Sequence, residues 1–313
     1  MPSLPVKLPV EDIQFQVIES PLFGKVYSYN FALFLLTLKQ MLPAVLGELV
    51  NHAKGLQGQL WTPCQPTPEE MMAAETEATT GAQFDRLGLK KTVWEGYENN
   101  TVKLVCKRLG NLARVLVFLP KGVPEPNWEI WAKVFQWFGE APSKKPWLVT
   151  YFASKREREF PQAGQDLGAE HVNGGYTTPC STNGIYIYRQ EENTRVLVHE
   201  MVHAACLDEP GWSIPEKEAM VETWAELILI AIVSKGRTVT AKRLWVAQSH
   251  WIADTNWKAK HINNTNDIGD YGWRYLNGRE GMYARLGIAL PAARPVHARK
   301  SASLRFTHPM LEV

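Results

Sequence analysis

The feature that most constrains this chain of 313 residues is the run Val196-Leu197-Val198-His199-Glu200-Met201-Val202-His203-Ala204. It holds the pattern His-Glu-x-x-His. Residues four apart on a helix lie about one turn apart, so His199 and His203 share a face. Two imidazoles so placed can hold one divalent cation, with Glu200 beside them as a base. A fold built around this helix must bring a third ligand to the same face and leave a fourth position open.

The following segment supplies carboxylates. Asp208-Glu209-Pro210-Gly211 breaks the first helix. Ser213-Ile214-Pro215-Glu216 starts a second, with Ser213 as N-cap, Glu216 at the capping-box position and Pro215 tolerated in the first turn. This helix is expected to run to about Lys235 and stop at Gly236. Met220, Val221, Trp224 and Leu227 make it apolar on most sides, which predicts burial. Glu218, Glu222 and Glu226 lie along one face. Carboxylates on a buried helix are costly unless they are paired or bound to metal. Glu222 follows His203 with eighteen residues between. Glu218 has a more ordinary reading, a charge near a helix N-terminus favoured by the dipole.

The pattern His-Glu-x-x-His-x18-Glu resembles the gluzincin zinc metallopeptidases over about residues 185–235. The resemblance implies one zinc per chain, held by His199, His203 and Glu222, with Glu226 behind them accepting a histidine N–H. It implies hydrolysis of peptide bonds in a protein or peptide substrate. Glu200 takes a proton from a zinc-held water and passes it to the leaving amine. The ligand types also suit other divalent metals. No aminopeptidase substrate-recognition motif lies upstream, which argues against amino-terminal trimming. The developing oxyanion needs another donor, for which the residues alone leave Tyr271, Tyr275, His250 and His261 as candidates.

A second resemblance runs through Val172-Asn173-Gly174-Gly175-Tyr176-Thr177, Ile187-Tyr188-Arg189-Gln190-Glu191-Glu192, and Asn264-Thr265-Asn266 to Tyr271. This is similar to metallopeptidases encoded by large DNA viruses. It selects Tyr271 as the oxyanion donor and implies a virion-associated protein. The competing reading is a catalytically inactive peptidase fold serving a structural or interaction role, for instance as a virion component.

Around the motif the pattern is that of an α+β fold: a small mixed sheet packed against the motif helix and the Glu helix, with extra helices at both ends. Thr101–Cys106 alternates with period two, Ala113–Leu119 and Pro146–Phe152 read as strands, and Asn127–Phe138 as an amphipathic helix. Ile185–Tyr188 reads as a short strand and a candidate sheet edge for an extended substrate. Near the N-terminus, prolines 2, 5, 9 and 21 predict irregular chain over 1–25. Asn30 could cap a helix to about Ala53 that Pro43 kinks or splits. Residues 62–84 read as a mobile surface linker with room for one short helix. The division expected is 1–85, helical and irregular, and 86–313, metallopeptidase-like. Residues 240–256 read as helix, and the last twenty as irregular.

Charge separates the halves: residues 1–233 carry 21 basic and 27 acidic side chains, residues 234–313 carry 13 and 5. A basic last third admits a nucleic-acid partner, but the Lys and Arg are dispersed and no RNA-binding signature accompanies them. His52, His171, His297 and His308 read as ordinary polar residues, and Asp267 and Asp270 lack EF-hand spacing. No apolar run reaches the ~18 residues of a membrane span, and no signal peptide is apparent. The four cysteines have no C-x-x-C spacing, so the expectation is a cytoplasmic or intracellular protein without disulfides, with Cys206 a small buried apolar residue.

Overall fold

The computed structural model describes residues 16–20, 24–28, 31–80, 84–141, 143–182, 184–208 and 211–312, with side chains from residue 42 onward. Most of the proline-rich start, the Asn30 cap and Glu209-Pro210 lie outside them. The fold is α+β. In chain order the elements are β1 (Gln16–Ser20), β2 (Gly24–Ser28), α1 (Phe31–Lys54), β3 (Thr62–Pro63), α2 (Pro68–Thr79), α3 (Leu89–Glu98), β4 (Val102–Leu109), β5 (Ala113–Pro120) and α4 (Trp128–Phe138). Then come β6 (Trp147–Phe152), α5 (Ala169–Val172), β7 (Gly175–Tyr176), β8 (Ile185–Ile187), α6 (Asn193–Ala204), α7 (Ile214–Val233), α8 (Thr238–Ile262), α9 (Gly278–Arg285) and α10 (Pro295–Lys300).

β1 and β2 form an antiparallel pair by themselves, and the other six strands form a mixed sheet in the order β3-β4-β5-β6-β8-β7. β5 sits inside the sheet because its run Val115–Leu119 is apolar throughout and buried on both faces. It pairs antiparallel with β4 and parallel with β6, and β6 pairs parallel with β8. Val115, Val117, Val149, Ile185 and Ile187 face the core shared with α4, α6 and α7. Leu116, Phe118 and Phe152 face α2 and α3 instead, with the Phe118 and Phe152 rings stacked at 5.1 Å. A third core joins α1, α7, α8 and α9.

Several expectations change here. Ile185–Ile187 is an interior strand, because Gly175–Tyr176 pairs with its outer side and takes the edge. The 62–84 stretch is not a bare linker: β3 joins the sheet, and α2 begins in a capping box between Thr67 and Glu70. The last twenty residues are not wholly irregular, since Pro295–Lys300 forms α10. α1 runs unbroken through Pro43.

α6 is positioned by polar contacts at its start. Trp131 of α4, fully buried, donates its indole N–H toward Asn193 and Thr194 at 3.2 and 3.1 Å. Glu192 precedes the helix in the left-handed region, φ 58°. Its buried carboxylate accepts the backbone N–H groups of Phe306 and Thr307 and a guanidinium N–H of Arg158. Burial alone raises a carboxyl pKa, but Arg158, Arg195 and Arg305 outweigh it and hold Glu192 below its usual value. A depressed folded pKa contributes stability that is present above the unfolded value of about 4.3 and lost as pH falls through the folded one. Glu192→Gln is therefore expected to destabilise the protein at neutral pH by about 3 kcal/mol, since it leaves buried Arg158 with only the Glu191 carboxylate, 3.7 Å away, as its ion-pair partner. Denaturant titrations should show that loss narrowing on acidification; equal losses at pH 7 and pH 3 exclude this role.

Candidate metal centre

α6 carries His199, Glu200 and His203 with every residue from Thr194 to Ala204 buried. α7 follows after a connection of nine residues, 205–213. Its start matches the expectation: the Glu216 carboxylate accepts the Ser213 N–H at 3.1 Å and its hydroxyl at 2.7 Å. The two helices pack as a hairpin, so each turn toward the end of α6 faces an earlier turn of α7.

That register decides which glutamate meets the histidines. Glu218 Oε2 lies 3.3 Å from His199 Nε2 and 3.6 Å from His203 Nε2. One donor atom from each of the three residues lies within 4.8 Å of the others. Tetrahedral zinc, with bonds of about 2.0–2.2 Å, sets its ligand atoms roughly 3.4 Å apart. Two imidazoles and a carboxylate at these separations fit such an ion.

Glu222, expected as the third ligand, lies one turn further along. Its Oε1 is 3.0 Å from His199 Nδ1, the ring nitrogen on the opposite side from Glu218. Its other oxygen is held by Arg195, one turn before His199 on α6. A nine-residue connection brings Glu218 level with the two histidines and leaves Glu222 level with His199 and Arg195. Glu226, expected behind a histidine, meets neither one. It is fully buried and accepts from Arg279, from the Tyr283 hydroxyl at 2.5 Å and from Gln248 at 3.2 Å, tying α7 to α8 and α9.

His203 has its own partner, Asp208 Oδ1, 2.8 Å from Nδ1. Carboxylates thus stand at the Nδ1 of both rings, and a proton held there leaves each Nε2 lone pair free toward Glu218. Burial lowers His199 to about 4. Burial also works to lower His203, but hydrogen bonds to Asp208 and Glu218 override it and raise that ring to about 10. Glu218 is desolvated as well, yet contacts with both histidines depress it below its usual range. Burial raises Glu200, which has no comparable partner, to about 8.

These groups line a narrow cleft of about 100 Å³ that also takes in Gly175, Tyr176, Phe84 and Tyr275. Gly175 of the edge strand β7 runs against α6: a Cβ there would come 2.5 Å from Val196 Cγ1 and 3.3 Å from Glu200 Oε1. Only glycine lets the sheet edge pass this close to the motif helix.

Tyr271 does not line the cleft. Its hydroxyl exchanges hydrogen bonds with the Asn173 side chain at 2.9 and 3.0 Å, which joins the two distant stretches of the second resemblance. Tyr275, whose ring lies 5.5 Å from that of Tyr271, does line the cleft, as does Tyr176, whose hydroxyl is taken by Lys90. Burial first and Glu218 second raise its hydroxyl well above the usual range, so it stays protonated. His250 lines a separate surface hollow with Arg243 and Arg294, and His261 bonds back to the Trp257 carbonyl. In the basic last third, Arg279, Arg294 and Arg305 pair with Glu226, Asp254 and Glu312.

Cys206 corrects another expectation. It is exposed and forms a disulfide with Cys180, and the His203 carbonyl accepts the N–H of both cysteines at 3.0 Å. The loop containing Thr177 and Pro179, which line the cleft, is thereby joined to the end of the motif helix. Among the described residues no helix is long and apolar enough to cross a membrane.

No protein-family model matches this chain, and no curated protein or solved structure matches it either.

Proposed function

We propose that this chain is a zinc-dependent metallopeptidase, with His199, His203 and Glu218 as ligands and Glu200 as the proton-transferring base. The observation that carries this reading is the convergence of both Nε2 atoms and Glu218 Oε2 on one point, with Glu200 facing the same cleft. Bound there, zinc supplies Lewis acidity, polarising a peptide carbonyl and acidifying a water near neutral pH. Glu200 accepts the proton of the attacking water at its carboxylate and delivers it to the leaving amine. A carboxyl lifted to about 8 suits both transfers near neutrality. Asp208 and Glu222 hold the imidazoles in the tautomer that ligation needs. The edge strand β7, beside Glu200, offers unpaired backbone groups to an extended substrate.

The direct test is hydrolysis of a denatured-protein library by the purified chain. Activity is expected to vanish on chelation and return with about one equivalent of zinc. Hydrolysis that persists after metal content falls to zero excludes this reading.

Tyr275 takes the oxyanion-donor role expected of Tyr271, because it lines the cleft, lies close enough to Glu218 to feel its charge, and keeps its hydroxyl protonated. Tyr275→Phe is expected to lower kcat by roughly 10²–10³ with KM little changed. Tyr271→Phe is expected to act indirectly, through the hydroxyl's contacts with Asn173 and Tyr275, with a smaller effect. Steady-state kinetics of the two variants checks this, and the reverse order returns the role to Tyr271.

A further inference from the structure

The chain's other two cysteines lie at the sheet edge opposite the cleft. Cys64 directly follows β3, and the β3–β4 register, Thr62 with Arg108 and Pro63 with Lys107, brings it opposite Cys106. The Cys64 N–H donates to the Cys106 carbonyl at 3.0 Å. The two sulfur atoms stand 2.8 Å apart, closer than non-bonded sulfurs pack. Residues directly opposite on antiparallel strands have Cα atoms about 4.5–5.5 Å apart, inside the roughly 4.4–6.8 Å that a disulfide spans.

The surroundings exclude other roles for so close a pair. Two charges that act on Cys106, Arg114 and Glu70, are committed to each other through two hydrogen bonds of 2.6 and 2.8 Å. Among the described residues, no metal-binding group includes either cysteine. Cys106 is buried among Ala74, Leu116 and Phe118, so its sulfur is within reach of Cys64 and shielded from solvent reagents. Cys64 is half-buried and within reach of solvent.

We propose that Cys64 and Cys106 form a second disulfide, by exchange with a small-molecule disulfide such as oxidised glutathione. The Cys64 thiolate attacks one sulfur of that reagent and releases one thiol. Cys106 then attacks the Cys64 sulfur and releases the other. Two protein thiols lose two electrons and two protons, and the reagent is reduced to two thiols. With Cys180–Cys206 this uses all four cysteines of the chain, an arrangement that persists where disulfides are not reduced. The bond closes a loop with a sequence separation of 42 and fixes the point where the chain leaves β3 for α2. Lys90 of α3 pairs with Glu77 of α2 and donates to the Tyr176 hydroxyl, so the clamped segment reaches the cleft strand β7. The inference stands independently of the proposed hydrolytic activity.

The test uses the full chain, incubated with oxidised glutathione, quenched in acid, unfolded, alkylated and digested without reductant. Mass spectrometry is expected to find the Cys64 and Cys106 peptides joined and lighter than the reduced pair by two hydrogens. In a Cys180→Ser/Cys206→Ser background, reductant is expected to lower Tm by about 5–10 °C, and adding Cys64→Ser should abolish that sensitivity. Alkyl groups on both cysteines, or glutathione attached without a cross-link, overturn the proposal. If the doubly substituted background does not fold, the peptide map of the unmodified sequence decides alone.

Discussion

Glu200→Gln is expected to abolish turnover while leaving about one zinc per chain. The substitution keeps the shape of the side chain beside Gly175, where there is no room for a bulkier group. It removes the one atom that can take and return a proton. General acid–base catalysis contributes about 10²–10⁴ in rate, or roughly 3–5 kcal/mol of barrier, so kcat should fall by that factor with KM nearly unchanged. Glu200 is not among the three converging ligands, so metal content should hold. Stability gives an independent control. Burial raises Glu200 to about 8, and a carboxyl raised in the folded state costs stability above its unfolded value of about 4.3. A neutral amide removes that cost, so Tm at pH 7 should stay level or rise. An inactive variant that is at least as stable and fully loaded with zinc cannot owe its inactivity to misfolding. If the unaltered chain, loaded with zinc, cleaves nothing in a denatured-protein library, and the variant preserves its biological role, the inactive peptidase-fold reading takes over.

The parts legible in the sequence are those in which local pattern and tertiary environment agree. The Ala113–Leu119 strand, the α4 periodicity, the Ser213 cap and the His-Glu-x-x-His face all reappear. The three glutamates of α7 show where such agreement ends. Glu218, Glu222 and Glu226 recur every four residues on a buried helix, so pattern alone says that each needs a partner. Which partner each meets depends on the hairpin register, set by a nine-residue connection containing a helix breaker. The spacing borrowed by resemblance points to Glu222, one turn beyond the glutamate that stands level with both histidines. Glu218 went to the role of a helix-terminal charge, and Asp208 was read only as part of the breaker. Arg195 carried a signal that could be used, since it precedes His199 by four residues and so shares its face. The cysteine pairs were illegible for a different reason. Spacings of 26 and 42 residues carry no local geometry, and only the loop after β7 and the β3–β4 register bring the sulfurs together. The edge strand β7 is two residues long and one of them is glycine, too little to show a period.

The one-turn correction leads to a pair of substitutions expected to affect different quantities. Glu218→Gln removes a ligand, and zinc affinity should fall well beyond 100-fold in a competitive chelator titration. Glu222→Gln removes only the carboxylate behind His199, and the loss there should be about 10–100-fold, the range for groups that orient a metal-bound histidine. Stability without zinc should rank the two in the opposite order. Glu222 is buried against Arg195, so its replacement removes the carboxylate in contact with that desolvated guanidinium and leaves it to the charges of Glu226 and Glu192, at a cost of about 3 kcal/mol. Glu218 is more exposed and faces the cleft, where water can enter once the carboxylate is gone, so its replacement should cost less. A ligand defect without much unfolding at 218, and an unfolding defect with a modest loss of affinity at 222, is the signature of a hairpin whose outer turn binds metal and whose inner turn anchors it. If instead Glu222→Gln alone empties the site while Glu218→Gln retains zinc, the eighteen-residue spacing is the correct one. The ligand assignment then moves back by one turn, with the cleft and Glu200 unchanged.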